Sequence, residues 1–459
     1  MREEKFHAGG AKGAKKLSRF DKCRLFTEYF FGTRRSITQR GERKFPLERN
    51  GIEAESLRRA QSVPKRLYGL LHTTAVAAAR KLPIPSKVFG PPKGIIRDMA
   101  AWVEAYKSKH HLSDEECWYS KVTDATFIKY PEPSSLSPVE NIFRDEPTGN
   151  VTETFTACLP QVRVISRAGW VVSPDDRVFE QSCSWGQRFF PSAIEYNTLR
   201  RLLNPIKLSG HYATIMGRAW RNFYHWNAEC LTRLALVERL PDVPLLFSNK
   251  LTWWHRDSLA ALGVDASRIV ELEDGCYEVD RLYFPSFAGV TGDIADWAWR
   301  DLRGRFWGGK EHAPKAGKRV YLSRGGAVHR QVVNEEEVMR ALEREGFTAL
   351  EPHRMTSAEK IAALCDAEVI VGVHGAGMTN ILFAPAGATV LEVLDPAHTV
   401  GVFYAMAASL GQDYWYLTGE NEASRAGRAG RKGFENLTVP VDLLLKTLDA
   451  ASKTQPLAP

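Results

Sequence analysis

Glu368-Val-Ile-Val-Gly-Val-His-Gly-Ala-Gly-Met-Thr-Asn380 is the stretch that decides the fold. The five residues after Glu368 are β-branched or small with no polar alternation, the pattern of a strand buried on both faces. His374-Gly-Ala-Gly377 then reads as a turn and Met378 to Phe383 as a short helix. Outward from it, Arg319-Val-Tyr-Leu-Ser323 and Thr389-Val-Leu-Glu-Val-Leu394 read as further strands. Two helices carry their own start signals. Asn334-Glu-Glu-Glu337 precedes an apolar face of Val338 and Leu342, with Phe347 nearby, and Thr356-Ser-Ala-Glu359 repeats the device. In each, the first side chain can accept from early helical N–H groups while the glutamate three positions on reaches back. Strands alternating with helices at this spacing imply a parallel sheet covered on both faces, a Rossmann-like unit whose ligands bind beyond the carboxyl ends of the strands.

Upstream, Thr154-Phe-Thr-Ala157, Val162-Arg-Val-Ile165 and Gly169-Trp-Val-Val172 are short strand-like runs separated by turn residues. A continuous helix is expected over Phe223 to Leu240, and strands at Pro244 to Phe247 and Arg281 to Phe284. Leu67-Tyr-Gly-Leu-Leu71 and Trp102-Val-Glu-Ala-Tyr106 have helical spacing, broken by the proline clusters Pro83 to Pro92 and Pro131 to Pro138.

The chain has 459 residues, 44% of them hydrophobic and 25% charged, ordinary for a globular protein with real cores. No stretch approaches the roughly 18 consecutive apolar residues of a spanning helix, and no apolar segment follows the basic start. A cytoplasmic location is the expectation. Seven scattered cysteines, none spaced as C-x-x-C, suggest neither a disulfide framework nor a zinc knuckle. The formal net charge of +8 resides in residues 1–66, which hold 18 Lys/Arg against 8 Asp/Glu. Such a segment is either a solvated arm or one that attracts nucleic acid or makes a peripheral contact with an anionic membrane surface.

Chemistry concentrates in two places. The Gly-rich turn at Gly375, Ala376 and Gly377 opens a helix, where free N–H groups and dipole charge favour an anion such as a phosphate. A Gly-rich turn that simply connects a strand with a helix is the alternative. Ser323 and Arg324 follow a neighbouring strand and could meet the same phosphates; Arg324 could equally be a surface residue paired with Glu335. Glu392 stands among apolar strand residues, so its carboxylate needs partners, which two ribose hydroxyls would supply; a strand residue facing solvent or paired with a structural arginine is the alternative. In Arg221-Asn-Phe-Tyr-His-Trp-Asn-Ala-Glu229, a helix would set His225 and Glu229 four apart on one face, able to take a proton from a hydroxyl. A core histidine, merely hydrogen-bonded, is the alternative. H-E-x-x-H, G-x-S-x-G and D-x-D are all absent, and Gly304 to Lys310 departs from a P-loop at Glu311.

Taken in order, Asn222-Phe-Tyr-His-Trp-x-x-Glu229 with Arg233, Val320-Tyr-Leu-Ser-Arg324, Val333-Asn-Glu335, Val371-Gly-x-His-Gly-Ala-Gly-Met-Thr-Asn380 and Leu391-Glu392 resemble the family 61 glycosyltransferases, whose bacterial members are often labelled capsular polysaccharide biosynthesis proteins. The resemblance spans about residues 150 to 418. It implies an α/β fold of two Rossmann-like domains facing a cleft, the GT-B architecture: an acceptor-side domain at 146–305 and a nucleotide-sugar-binding domain at 306–418. Residues 1–145 are then a basic N-terminal extension and 419–459 a C-terminal tail or helix. It further implies inversion at the anomeric carbon, no obligatory metal and no cofactor, the nucleotide sugar being a substrate. The acceptor would be a saccharide, glycan or lipid-linked sugar, and no nucleic-acid partner is expected. Donor contacts fall on Ser323, Arg324, His374, Gly375, Ala376, Gly377, Thr379, Asn380 and Glu392. Glu229 or His225 would be the general base, with Asn222 and Arg233 on the acceptor side. A non-catalytic nucleotide-binding module and a different sugar-nucleotide enzyme such as an epimerase are the competing readings.

Overall fold

A computed structural model of the chain describes residues 92–137, 148–183, 204–327, 330–396, 398–421 and 435–454, with Lys81. The basic segment 1–66 and the helical expectation at 67–71 lie outside the described residues.

The clearest unit is a five-stranded parallel sheet in the spatial order Phe347–Leu350, Arg319–Leu322, Val369–Val373, Thr389–Leu394, Asp413–Thr418. In chain order this is 2-1-3-4-5, the doubly wound arrangement. One face carries Val338, Leu342, Leu444 and Ala451 of helices Glu335–Arg344 and Val441–Thr454 over Tyr321, Val371, Leu391 and Trp415. The other carries Leu364, Phe383 and Phe403, from helices Ser357–Leu364, Ala376–Phe383 (a 3₁₀ helix) and Val402–Ser409, over Val320, Ile370, Val390 and Tyr414. Adjacent strand residues point to opposite faces, which is why Ile370 and Val371 enter different cores. The unit continues past residue 418, since Leu437 bridges Val332 and the last helix covers the sheet.

The N-terminal half is also built on a sheet, but a mixed one. Strands Cys276–Pro285, Ile206–Ala213, Leu245–Ser248 and Ile269–Leu272 run parallel. An antiparallel run of Arg163–Ile165, Trp170–Val172 and Arg177–Phe179 extends it on one side, with Thr154–Pro160 also pairing on Cys276–Pro285. Strands Gly94–Ile96 and Trp118–Thr123 complete it, and helix Met99–His110 covers one face with Met99, Trp102 and Val103. Residues 92–130 are therefore integral to this half, although the sequence pattern assigns them to the extension.

One apolar core joins the halves. Trp226, Phe247, Trp299 and Phe306 share it with Ile381, Phe383 and Phe403, and burying a side chain of the phenylalanine class contributes about 1.5–3 kcal/mol. Around its rim, Arg300 Nε donates to Ser409 O (2.9 Å) and Arg303 Nη1 to Leu410 O (3.0 Å), placing cations at the carboxyl end of helix Val402–Ser409. Asp257 accepts from Ser357 N and Oγ at 2.7 Å each. No helix among the described residues is long and apolar enough to cross a membrane.

Candidate functional site

Chain order 2-1-3-4-5 opens a crevice between strands Arg319–Leu322 and Val369–Val373, because their outgoing connections pass to opposite faces of the sheet. Ser323-Arg324 leaves one strand there and His374 to Gly377 leaves the other. Glu335 holds the first loop: its Oε1 accepts from Arg324 N (2.9 Å), Ser323 Oγ (2.9 Å) and Tyr321 OH (3.2 Å). Glu335 thus meets Arg324 through the backbone N–H, where the alternative reading has a surface pairing with the side chain, and the guanidinium crosses the crevice. Its Nη1 donates to His374 O and its Nε to Arg330 O, each at 3.0 Å. Gly375 is required by this crossing, since a Cβ there would stand 1.8 Å from Arg324 Nη1. Beyond it Ala376 is half-buried and Gly377 exposed, and the 3₁₀ helix they begin has no side-chain cap.

Beneath the turn, Thr379 and Asn380 are buried, and Asn380 Nδ2 donates to Gly377 O at 2.6 Å. Thr379 Oγ1 and Asn380 Oδ1 have no hydrogen-bond partner among the described residues. The Asn380 amide thus braces the turn from inside through its nitrogen. Glu392 differs from expectation. It is wholly buried, with Oε1 2.6 Å from His374 Nδ1 and Oε2 accepting from Tyr414 OH at 2.6 Å. The parallel register sets Tyr414 beside Val390, on the same face as Glu392 and one step away. The carboxylate's partners are therefore protein groups, and its effect is to orient His374. Burial and the Glu392 charge together push the Tyr414 hydroxyl well above the ordinary tyrosine range.

The second motif is not the continuous α-helix expected. Phe223–His225 is one α turn, Trp226–Cys230 a π turn, Leu231–Arg233 a 3₁₀ turn and Leu234–Val237 α again. A π turn inside a helix is a common mark of a functional site. The pair nevertheless meets: His225 Nδ1 lies 2.6 Å from Glu229 Oε1, which also accepts from Thr291 Oγ1 at 2.5 Å. Glu229 is 0% exposed and the His225 side chain 10%, so the imidazole is the member of the pair that solvent reaches. Burial pulls the guanidinium of nearby Arg218 below the ordinary arginine range, and the Glu229 charge opposes that shift.

Asn222 and Arg233, expected on the acceptor side, have structural partners. Asn222 Oδ1 accepts from Tyr224 N (2.9 Å) and His225 N (3.4 Å), capping the turn that presents His225. Arg233 is fully buried, donating through Nε and Nη2 to Pro285 O and through Nη1 to Met216 O. Its guanidinium also packs on Phe284 and Phe287.

The two histidine–glutamate pairs converge. His225 packs on Tyr224 (ring centroids 5.3 Å), Tyr224 on Phe403 (5.5 Å) and Phe403 on His374 (5.4 Å). Two rings thus separate an imidazole of one half from an imidazole of the other. Tyr224, Thr291, Glu335, Phe403 and Tyr414 are site residues that sequence reasoning misses. Tyr224 and Glu335 stand inside quoted motifs, whereas Thr291, Phe403 and Tyr414 carry no local signal. Among the described residues no group of three or more His, Cys, Asp or Glu could hold a metal ion.

Residues 223–391 match the family model described as Glycosyltransferase 61. That stretch holds His225, Glu229, Arg324 and the Gly-rich turn and stops one residue short of Glu392, so both motifs of the site fall in the matched part of the chain. Over 103 residues the chain is 31% identical to a beta-1,2-xylosyltransferase of Arabidopsis thaliana. The aligned part is 20% of this chain and 19% of that protein, about a fifth of the relative's length.

Proposed function

We propose that the protein is an inverting glycosyltransferase of GT-B type, acting without an obligatory metal, that moves a sugar from a nucleotide-sugar donor to a saccharide or glycan acceptor, free or lipid-linked. The observation that carries this reading is the linkage of two histidine–carboxylate pairs, one from each half, through the Tyr224 and Phe403 rings beside a Gly-rich turn, in a stretch that matches a glycosyltransferase family model.

In this reading the donor diphosphate lies on the N–H groups around Ala376 and Gly377, where the helix start offsets its charge. His225 is the general base. Its Nδ1 is committed to Glu229, so Nε2 would take the acceptor's hydroxyl proton, and Glu229 holds the ring and stabilises the imidazolium, the division of labour seen in hydrolase triads. The acceptor oxygen forms its bond to the anomeric carbon as the bond from that carbon to the diphosphate oxygen breaks, and the electron pair leaves with the diphosphate. In-line displacement inverts the centre. His374, oriented by Glu392, would meet the departing diphosphate or the sugar.

The absence of a D-x-D sequence is consistent with metal independence. Surface polysaccharide synthesis in the cytoplasm, with residues 1–66 touching an anionic membrane, completes the proposal. The named relative makes a nucleotide-activated xylose one of the first donors to test. Thermal-shift screening with UDP-, GDP- and CMP-sugars, with and without chelator, followed by mass spectrometry of products, tests it. The expected result is a shift by one sugar nucleotide and a product heavier by one glycosyl unit. Binding without transfer to any acceptor would favour a non-catalytic nucleotide module, and an isomerised donor an epimerase.

A further inference from the structure

Three arginines are buried among the described residues: Arg163, Arg233 and Arg330. Arg163 pairs with Asp176, and Arg233 is bonded to two backbone carbonyls. Arg330 is the exception. It is 7% exposed, and its Nε and Nη1 are buried with no hydrogen-bond partner among the described residues. Guanidinium stays protonated at any physiological pH, and a desolvated cation without a counter-charge is among the most unfavourable features a fold can carry.

Its main chain lies at the crevice. Arg330 has a left-handed backbone (φ 55°), and Arg324 Nε donates to its carbonyl at 3.0 Å. The same guanidinium reaches His374 O at 3.0 Å through Nη1. Arg330 is therefore tied by one side chain to the start of the Gly-rich turn, at the carboxyl ends of the sheet. Glu335, the carboxylate of this loop, is already occupied by Ser323, Tyr321 and the Arg324 backbone. Arg324 in turn spends Nε and Nη1 on carbonyls, so it shapes the crevice while carrying only part of its donor capacity to a ligand.

We infer that Arg330 is the principal cationic ligand for the diphosphate, its planar fork donating to phosphate oxygens that supply the missing counter-charge. This rests on the proposed function, and it moves the main charge contact from Arg324 to a residue that no sequence motif singles out.

The test is Arg330→Met in the full chain, which keeps volume and removes the charge. Without ligand the variant should melt at or above the wild-type temperature, because an unpaired buried charge is gone. Its affinity for inorganic pyrophosphate and for UDP or GDP, measured by calorimetry, should fall at least about tenfold, the loss expected when one charge-assisted contact disappears. Arg330→Lys, which keeps charge without the fork, should fall between. Wild-type affinity in Arg330→Met overturns the inference, as does wild-type protein that binds no pyrophosphate. Collapse of the folded state in Arg330→Met also overturns it, since the side chain would then be structural. Should wild-type protein bind pyrophosphate through Arg330 yet transfer no sugar, the glycosyltransferase reading fails and the anion site stands. Transfer that persists with unchanged diphosphate affinity in Arg330→Met has the reverse meaning: the glycosyltransferase reading stands and the anion site fails.

Discussion

Replacing Gly375 by alanine tests the crossing of the crevice by Arg324. The new methyl would stand 1.8 Å from Nη1 and 2.9 Å from Cζ of Arg324, far inside any contact distance. The guanidinium must leave, and with it the 3.0 Å bonds to His374 O and Arg330 O. A hydrogen bond from a charged donor is worth about 1.5–3 kcal/mol, and water compensates part of this because Arg324 is half-buried. A coupling on the order of 2 kcal/mol follows. The backbone adds a separate cost: φ 157°, ψ 173° lies in a region reserved for glycine, where other residues lose about 1–3 kcal/mol. A double-mutant cycle in urea separates the two. Gly375→Ala should be strongly destabilising in wild-type protein, and milder by at least about 1 kcal/mol when Arg324 is already alanine. If the two substitutions are additive within about 0.5 kcal/mol, the steric argument is wrong and only backbone strain holds the glycine in place.

Further outcomes follow from the same geometry. Lys360 is buried with its amine 4.6 Å from the centre of the Phe223 ring, and burial lowers its pKa from 10.5 to about 8 against the opposing Asp257 and Glu359 charges. Between pH 8 and 10.5 the unfolded chain keeps this proton while the folded chain sheds it, so stability contributed here rises with pH. Lys360→Met should therefore be more stable than wild type at pH 7, on the order of 1–3 kcal/mol, with the gain vanishing towards pH 10.5; a pH-independent difference in urea melts would refute it. Tyr414→Phe leaves Glu392 with one partner fewer and should lower stability by about 1–3 kcal/mol while transfer persists; unchanged denaturation would mean the 2.6 Å contact carries nothing. His225→Ala and Glu229→Gln should each reduce kcat by about 10² to 10⁴ with little change in KM, and combining them should add little because they act as one unit. Multiplicative losses in initial rates would contradict that coupling.

Much of the second sheet is legible in the sequence because its signals are local. Val369 to Val373 is apolar enough to be buried on both faces, and the Thr356–Glu359 capping box forms as expected. Asn334 shows where such signals fail. Its Oδ1 accepts from Val439 N and its Nδ2 donates to Val439 O, a backbone 105 residues away, so it never caps its helix. The same limit applies to Glu392, whose partner Tyr414 is set by sheet register, and to the strands near residues 94 and 118, whose pairing partners lie far along the chain. The spacing of His225 and Glu229 reveals a pair but not the π turn that carries it, because no residue pattern distinguishes that turn from an α-helix.

Catalysis as proposed requires a diphosphate resting against the turn at Ala376 and Gly377. A crystal structure with the intact donor or its nucleoside diphosphate measures this directly. Phosphate oxygens should lie within hydrogen-bonding reach of those two amides, with the anomeric carbon directed towards His225. A diphosphate bound elsewhere on the molecule, with the turn untouched, would contradict it.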